Sequence, residues 1–196
     1  HHLLCIREDH RGDGEAVNAL VAVDLSGGPN DGEVLWQQSD FVAYPRISTD
    51  GKHLTWISWD HPNMPWDNVA LWLAPVEDDG TIGTPKRLNE GVDESVLQPT
   101  WAEDGTLYFL ADRSGWWNMH RFNGGHIKPV HEISAELGGP LWGLGSKFFE
   151  LLPDHRALIE YGNAEGVSIG FLDLASGEIK PIDLPYIGDG SLVARG

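Results

Sequence analysis

Residues 44–51 read Tyr-Pro-Arg-Ile-Ser-Thr-Asp-Gly, and residues 98–105 read Gln-Pro-Thr-Trp-Ala-Glu-Asp-Gly. Each stretch is a short β-prone run that ends in an Asp-Gly turn, and the two Asp-Gly pairs lie 54 residues apart. Gly tolerates the positive φ that a tight hairpin turn needs, so the motif predicts a strand followed by a hairpin. Two copies of the motif indicate a repeated structural unit.

A second set of apolar runs repeats with nearly the same period. These runs start at Leu20, Leu71, Met119 and Ile169, so successive copies lie 51, 48 and 50 residues apart. A period of about 40–50 residues with four strands per unit is typical of β-propeller blades. The sequence therefore predicts an all-β fold, a β-propeller fragment of about four four-stranded antiparallel blades, from a larger ring of about seven or eight blades.

The repeat also predicts where the blades lie. We expect blades at about residues 1–40, 41–92, 93–137 and 138–187, with the start of a further blade at 188–196. The first blade is expected to lack its innermost strand. Within the second, the predicted strands are Tyr44–Ser48, His53–Trp59, Val69–Val76 and Pro85–Asn89. Because both ends look truncated, we expect an open arc that tends to self-associate.

Composition narrows the function. A net charge of −17 repels phosphate backbones and anionic lipids, so nucleic-acid and membrane partners are not expected. The chain contains nine Trp residues, whose large rings need interior space to occupy. We expect Trp56, Trp72 and Trp101 to fill the wedges between neighbouring sheets. The single Cys fits a reducing, cytoplasmic location. The spacing of the His and acidic residues predicts neither a metal nor a cofactor.

Three groups of residues resemble the prolyl oligopeptidase family, in its acylaminoacyl-peptidase and dipeptidyl aminopeptidase-like branch. They are Ser58–Asp67 with Ala70–Trp72, Pro99–Trp101 with Asp104–Phe109 and Asp112–Asn118, and Arg7–Arg11 with Asn18–Asp24. The resemblance implies a two-part serine peptidase. A propeller limits access to small peptides, and a separate α/β-hydrolase domain carries the Ser-Asp-His triad.

The resemblance covers the propeller only, so no catalytic residue is assigned and this chain is expected to be inactive alone. Residues 166–170 do fit the Gly-x-Ser-x-Gly pattern of a serine nucleophile. However, the segment continues into an apolar strand, and no His follows residue 155. We therefore interpret Ser168 as a strand residue.

Loops between the second and third strands of every blade should emerge on one face. They carry the candidate residues for substrate or domain contact, which are His10, Arg11, His61, Met64, Trp66, Arg113 and Trp116. Exposed aromatic rings beside Arg are typical of interface anchors. Alternatively, Trp66 and Trp116 only cap their own blades.

Two functions stay open at this stage. In the first, the chain gates small peptides on their way to the hydrolase domain of the same parent protein. In the second, it belongs to a stand-alone binding scaffold similar to TolB, because one propeller architecture hosts many functions. A propeller lactonase would need a ring of metal-binding carboxylates, which the sequence does not show.

Overall fold

The computed structural model describes residues 1–27 and 30–184, and these form four antiparallel sheets without a helix. The first sheet contains β1 (His2–Asp9), β2 (Val17–Asp24) and β3 (Glu33–Trp36). The second contains β4 (Phe41–Ile47), β5 (His53–Trp59), β6 (Ala70–Pro75) and β7 (Lys86–Arg87). The third contains β8 (Val96–Trp101), β9 (Leu107–Ala111), β10 (Asn118–Asn123) and β11 (His126–Pro129). The fourth contains β12 (Phe149–Leu152), β13 (Arg156–Asn163), β14 (Gly166–Asp173) and β15 (Ile179–Pro181).

In every sheet, strands that follow one another in sequence are also neighbours in space. This up-and-down order confirms the predicted propeller arc of about four antiparallel blades. The first sheet has three strands, which correspond to the second, third and fourth strands of the others. The predicted blade limits stay a prediction, and the further blade expected at 188–196 lies outside the described residues.

The two Asp-Gly motifs form the turns that the sequence predicts. Gly51 and Gly105 have φ values of 73° and 80°, which residues with a Cβ rarely adopt. The preceding Asp stabilises each turn, because Asp50 Oδ1 accepts from Lys52 N at 3.1 Å. In the other copy, Asp104 Oδ1 accepts a hydrogen bond from Thr106 N at 2.9 Å.

The innermost strands of the second and third sheets share a bulge. The register shifts between Ala43 and Arg46, and again at the equivalent place in β8. At the centre of these bulges, Tyr44 and Gln98 adopt left-handed φ values of 51° and 47°. Such values are strained for residues with a Cβ, so contacts elsewhere must compensate.

Those contacts reach the fourth sheet. Gln98, which is 4% exposed, donates from Nε2 to the carbonyl of Phe149 at 2.7 Å. Its Oε1 accepts from Phe148 N at 2.5 Å and from Phe149 N at 3.2 Å. Tyr44 Oη donates to the carbonyl of Ser146 at 2.6 Å. The bulges therefore connect the innermost strands around the centre of the arc.

Tryptophan fills the wedge between the first two sheets. Trp56 and Trp72 are cross-strand partners on β5 and β6, and Trp36 of β3 lies 5.5 Å and 5.6 Å from their ring centroids. The predicted placement of Trp56 and Trp72 is thus confirmed, and Trp36 is a member that the sequence did not single out. Trp101 donates from Nε1 to the carbonyl of Arg46 at 3.2 Å and so links the third sheet to the second.

We predict that Gln98→Met lowers the free energy of unfolding by about 2–4 kcal/mol, because it leaves buried main-chain groups of β12 without a partner. The exposed Gln37 offers a matched control, and Gln37→Met should change stability by less than about 0.5 kcal/mol. Urea unfolding of both variants measures the difference. Equal stabilities would show that the Gln98 amide does not hold the sheets together.

Candidate functional site

One face of the arc collects all the loops that join the second and third strands. We call this surface the loop face and define it by the connections 10–16, 60–69, 112–117 and 164–165. In an antiparallel sheet of four strands, the fourth strand ends at the same face from which the third strand starts. The segments that join one sheet to the next therefore also lie on the loop face, and the three-stranded first sheet, which has only the last three strands, follows the same pattern. The loop face therefore carries both loops and inter-sheet segments.

Each inter-sheet segment contributes an acid that holds a neighbouring loop. Asp40 Oδ2 accepts from His61 N at 2.9 Å, and Glu136 Oε2 accepts from Trp117 N at 2.7 Å. The third acid, Glu94, binds Arg113. These bonds tie the second loop (60–69) and the third loop (112–117) to segments by which the chain enters the next sheet.

His61 lies where the first two sheets meet. Its Nδ1 is 3.0 Å from Asp40 Oδ2, and its Nε2 is 3.7 Å from a Glu15 carboxylate oxygen of the preceding loop. The Phe41 ring packs against the imidazole with centroids 5.0 Å apart. Hydrogen bonds from the His61 main chain and ring hold the pKa of Asp40 below its usual range.

His10 and Arg11 occupy the first loop, but they face different partners. His10 lines a cavity of about 590 Å³ together with Glu15, Asp40 and Phe41, so the structure brings it to the surroundings of His61. Arg11 pairs with two carboxylates: its Nη2 lies 2.5 Å from Asp9 Oδ2, and its Nη1 lies 2.9 Å from Asp31 Oδ2.

Arg113 is held by a buried acid. Its Nε and Nη2 each donate to a Glu94 carboxylate oxygen at 2.8 Å. The Glu94 side chain is fully buried, whereas 28% of the Arg113 side chain is exposed. A bidentate pair of this kind fixes the loop firmly, so most of the guanidinium is engaged in structure.

Two further acids lie close to this pair. Asp112 accepts from Ser95 N at 2.7 Å, and burial raises the pKa of Asp112. Burial also raises the pKa of Glu136, with the Asp112 charge adding to the shift. The Ser95 hydroxyl donates to the carbonyl of Pro65 at 2.8 Å, which connects the second and third loops.

Trp66 pairs with a residue that the sequence did not single out. Its ring centroid lies 4.6 Å from that of Trp142, which is 80% exposed. Leu144 and Met64 are 55% and 45% exposed. We call Met64, Trp66, Trp142 and Leu144 the tryptophan patch. The Gly-rich run 138–145, which contains both a Trp and a Leu, was the available signal.

Trp116 is half-buried, and its carbonyl accepts from the Ser114 hydroxyl at 3.1 Å. The candidates thus form two groups, with His10, Arg11 and His61 at the first two sheets and the others along the second and third. Trp66 does not merely cap its own sheet, because its partner comes from the segment between the third and fourth.

Ser168 is a residue of β14 and pairs in register with Tyr161 of β13. The predicted strand is therefore confirmed in place of a nucleophile turn. Within residues 1–27 and 30–184, no group of three His, Cys, Asp or Glu residues is arranged to hold a metal ion. The same residues contain no helix that is long and apolar enough to cross a membrane.

The sheets and their shared loop face define this chain as part of a β-propeller. No family model matches the sequence, and no curated protein does. Among solved structures, puromycin hydrolase is 34% identical with a TM-score of 0.87, over 94% of this chain and 29% of that one. A puromycin-hydrolysing peptidase of Mycobacterium tuberculosis is 30% identical with a TM-score of 0.83, over 94% and 30% of the two chains.

More distant structures share the fold alone. Prolyl oligopeptidase B of Galerina marginata is 12% identical, with a TM-score of 0.74 over 99% of this chain and 27% of that one. TolB of Acinetobacter baumannii is 18% identical, with a TM-score of 0.59 over 92% and 40%. The chain therefore has the fold of a propeller segment and is similar in sequence to the puromycin-hydrolysing proteins, whereas its likeness to prolyl oligopeptidase B is one of fold. It spans less than a third of the length of the puromycin-hydrolysing relatives.

We predict that Arg113→Met lowers the free energy of unfolding by about 3 kcal/mol, because it leaves the Glu94 charge buried without a partner. The double variant Glu94→Gln/Arg113→Met should recover most of this loss. Chemical denaturation of the two single variants and the double variant measures the coupling. Strictly additive losses would mean that the ion pair does not fix this loop.

Proposed function

We propose that this chain is the access-controlling propeller segment of a serine exopeptidase or oligopeptidase. Similarity to two puromycin-hydrolysing proteins at 30% identity or more supports a peptidase of this kind. Catalysis comes from an α/β-hydrolase domain of the same parent protein, in which Ser attacks the peptide carbonyl, His acts as base and Asp orients the His. The propeller admits small peptides and excludes folded proteins.

The tryptophan patch is the observation that carries the proposal. Large apolar side chains are rarely left in water, and an aromatic pair that is anchored by neighbouring chain segments is typical of interface centres. Both Trp rings lie on the loop face, and the Gly-rich segment of Trp142 is fixed by the bond from Tyr44 to Ser146. We infer that this patch meets the hydrolase domain.

The other candidate residues of the loop face have different proposed roles. His10 lines the cavity at the first two sheets, and His61 pairs with Asp40 of its wall, so a small peptide can be contacted there from the side. Arg113 fixes the third loop through Glu94, and the neighbouring Ser95 hydroxyl binds the Pro65 carbonyl of the second loop. Arg11 stabilises the first loop through its two carboxylate partners.

The scaffold function, self-association and cytoplasmic location also stay proposals. The likeness to TolB is one of fold, so the scaffold function has no specific observation in its favour.

Self-association draws support from the first sheet, where Leu3 and Val34 are 51% and 44% exposed. The cytoplasmic location rests on the single free Cys5.

We predict that Leu144→Ala and Trp142→Ala in the full-length protein reduce kcat/KM for aminoacyl-p-nitroanilides by roughly tenfold, because each removes an interface anchor. Leu25→Ala is the matched control, since Leu25 is 61% exposed but follows β2 on the opposite face. Its kcat/KM should be unchanged. Equal kcat/KM values for all three variants and the parent would contradict docking through the tryptophan patch.

A further inference from the structure

A cavity with polar side chains in its wall opens between the third and fourth sheets, on the face opposite the loop face. It measures about 380 Å³. Residues of the third sheet, among them Tyr108, Arg121, Asn123 and Lys128, form one wall. His155 and Leu174 of the fourth sheet contribute to the other. Because the turns 104–106 and 123–126 border it, the cavity is remote from the tryptophan patch.

Strand register places the polar side chains on one surface. Tyr108 of β9 pairs with Arg121 of β10, and Arg121 pairs with Lys128 of β11. Directly opposed residues point to the same side of a sheet, so these three side chains form a row across three strands. Two residues further along β10, Asn123 pairs with His126 on the same side.

This row interrupts an apolar surface. On the same side of the sheet, the pair that precedes it is Met119 and Leu110, and both are fully buried. An ordinary inter-sheet wedge would continue with apolar residues, because each sheet needs its neighbour to bury this surface. Here the wedge instead widens into a space lined with hydrogen-bond donors.

The two cations in the cavity keep free binding capacity. Arg121 Nη1 donates to the carbonyl of Leu174 at 3.1 Å, which fixes the guanidinium between the sheets. Among the residues that the structure describes, neither Arg121 nor Lys128 forms an ion pair. The carboxylate that borders the cavity, Asp104, accepts from the main chain of its own turn.

The Tyr108 hydroxyl shares the electrostatic environment of these groups. Burial raises the pKa of Tyr108, the Asp104 charge raises it further, and Arg121 opposes the shift. Tyr108 therefore stays a neutral hydroxyl that can donate a hydrogen bond. In a chain with 13 basic and 30 acidic residues, two cations that converge on one cavity and form no ion pair with the Asp104 at its border are unexpected.

We propose that this cavity binds a small phosphate-bearing molecule. The planar guanidinium of Arg121 offers a fork of N–H donors for two phosphate oxygens, and Lys128 supplies a second positive charge. The Tyr108 hydroxyl is placed to bind a further oxygen, and Asn123 Nδ2, which donates one hydrogen to Thr106 Oγ1 at 2.9 Å, keeps its second hydrogen for another. The volume exceeds that of the phosphate group itself, so a phosphate monoester of a small alcohol fits the site.

Isothermal titration calorimetry of the protein with inorganic phosphate and with glycerol 2-phosphate, at low ionic strength, tests the proposal. We expect one saturable site for both ligands, with binding that weakens as salt is added. Acetate should bind at least tenfold more weakly, because it offers fewer acceptor oxygens and a smaller charge.

Variants locate the site. Lys128 is exposed on β11, so Lys128→Gln should leave the packing intact. We expect this variant to weaken phosphate binding by roughly tenfold. Arg121→Gln should weaken it at least as much. Lys86→Gln, an exposed lysine on β7 of the second sheet, is the matched control and should bind as the parent does. Absence of saturable phosphate binding, or equal affinity in Lys128→Gln and Lys86→Gln, would overturn the proposal.

Discussion

No sheet of this protein can bury both of its faces alone, and everything else in the structure depends on that constraint. A twisted four-stranded sheet has two surfaces to cover, and the next sheet along the chain covers one of them. Between the first two sheets the cover is a tryptophan cluster of Trp36, Trp56 and Trp72. Near the centre of the arc, the Gln98 amide joins the third sheet to the fourth by hydrogen bonds to the main chain of Phe148 and Phe149.

The same arrangement creates the two candidate surfaces. Because each sheet repeats its strand order, the variable loops and inter-sheet segments collect on the loop face. There the acids Asp40, Glu94 and Glu136 hold the second and third loops, and loops held in this way can present exposed rings in a fixed position. The opposite face carries tight turns, and a wedge opens there where a polar row replaces the apolar pairs of the third sheet.

The fold could be predicted because its signals are local. Asp-Gly turns and apolar runs recur at a fixed period, and the predicted strand His53–Trp59 matches β5 residue for residue. The candidate site could be predicted only in part. Loops that share a face follow from topology, so His61 and Trp66 were found. Trp142 was not, because its position depends on a Gly-rich segment that crosses toward the second sheet, and no periodic pattern marks that path. Arg113 was identified as a contact residue, yet its buried partner Glu94 is 19 residues away, so the sequence did not reveal the ion pair.

We propose that this chain supports peptide hydrolysis without performing it. The most direct measurement is the hydrolysis of a panel of acyl- and aminoacyl-p-nitroanilides by this chain, beside the full-length gene product. We predict turnover by the longer protein and none by the 196-residue chain. Turnover by this chain alone that is lost in Ser168→Ala would contradict the account, because it would make a residue in the middle of β14 the nucleophile.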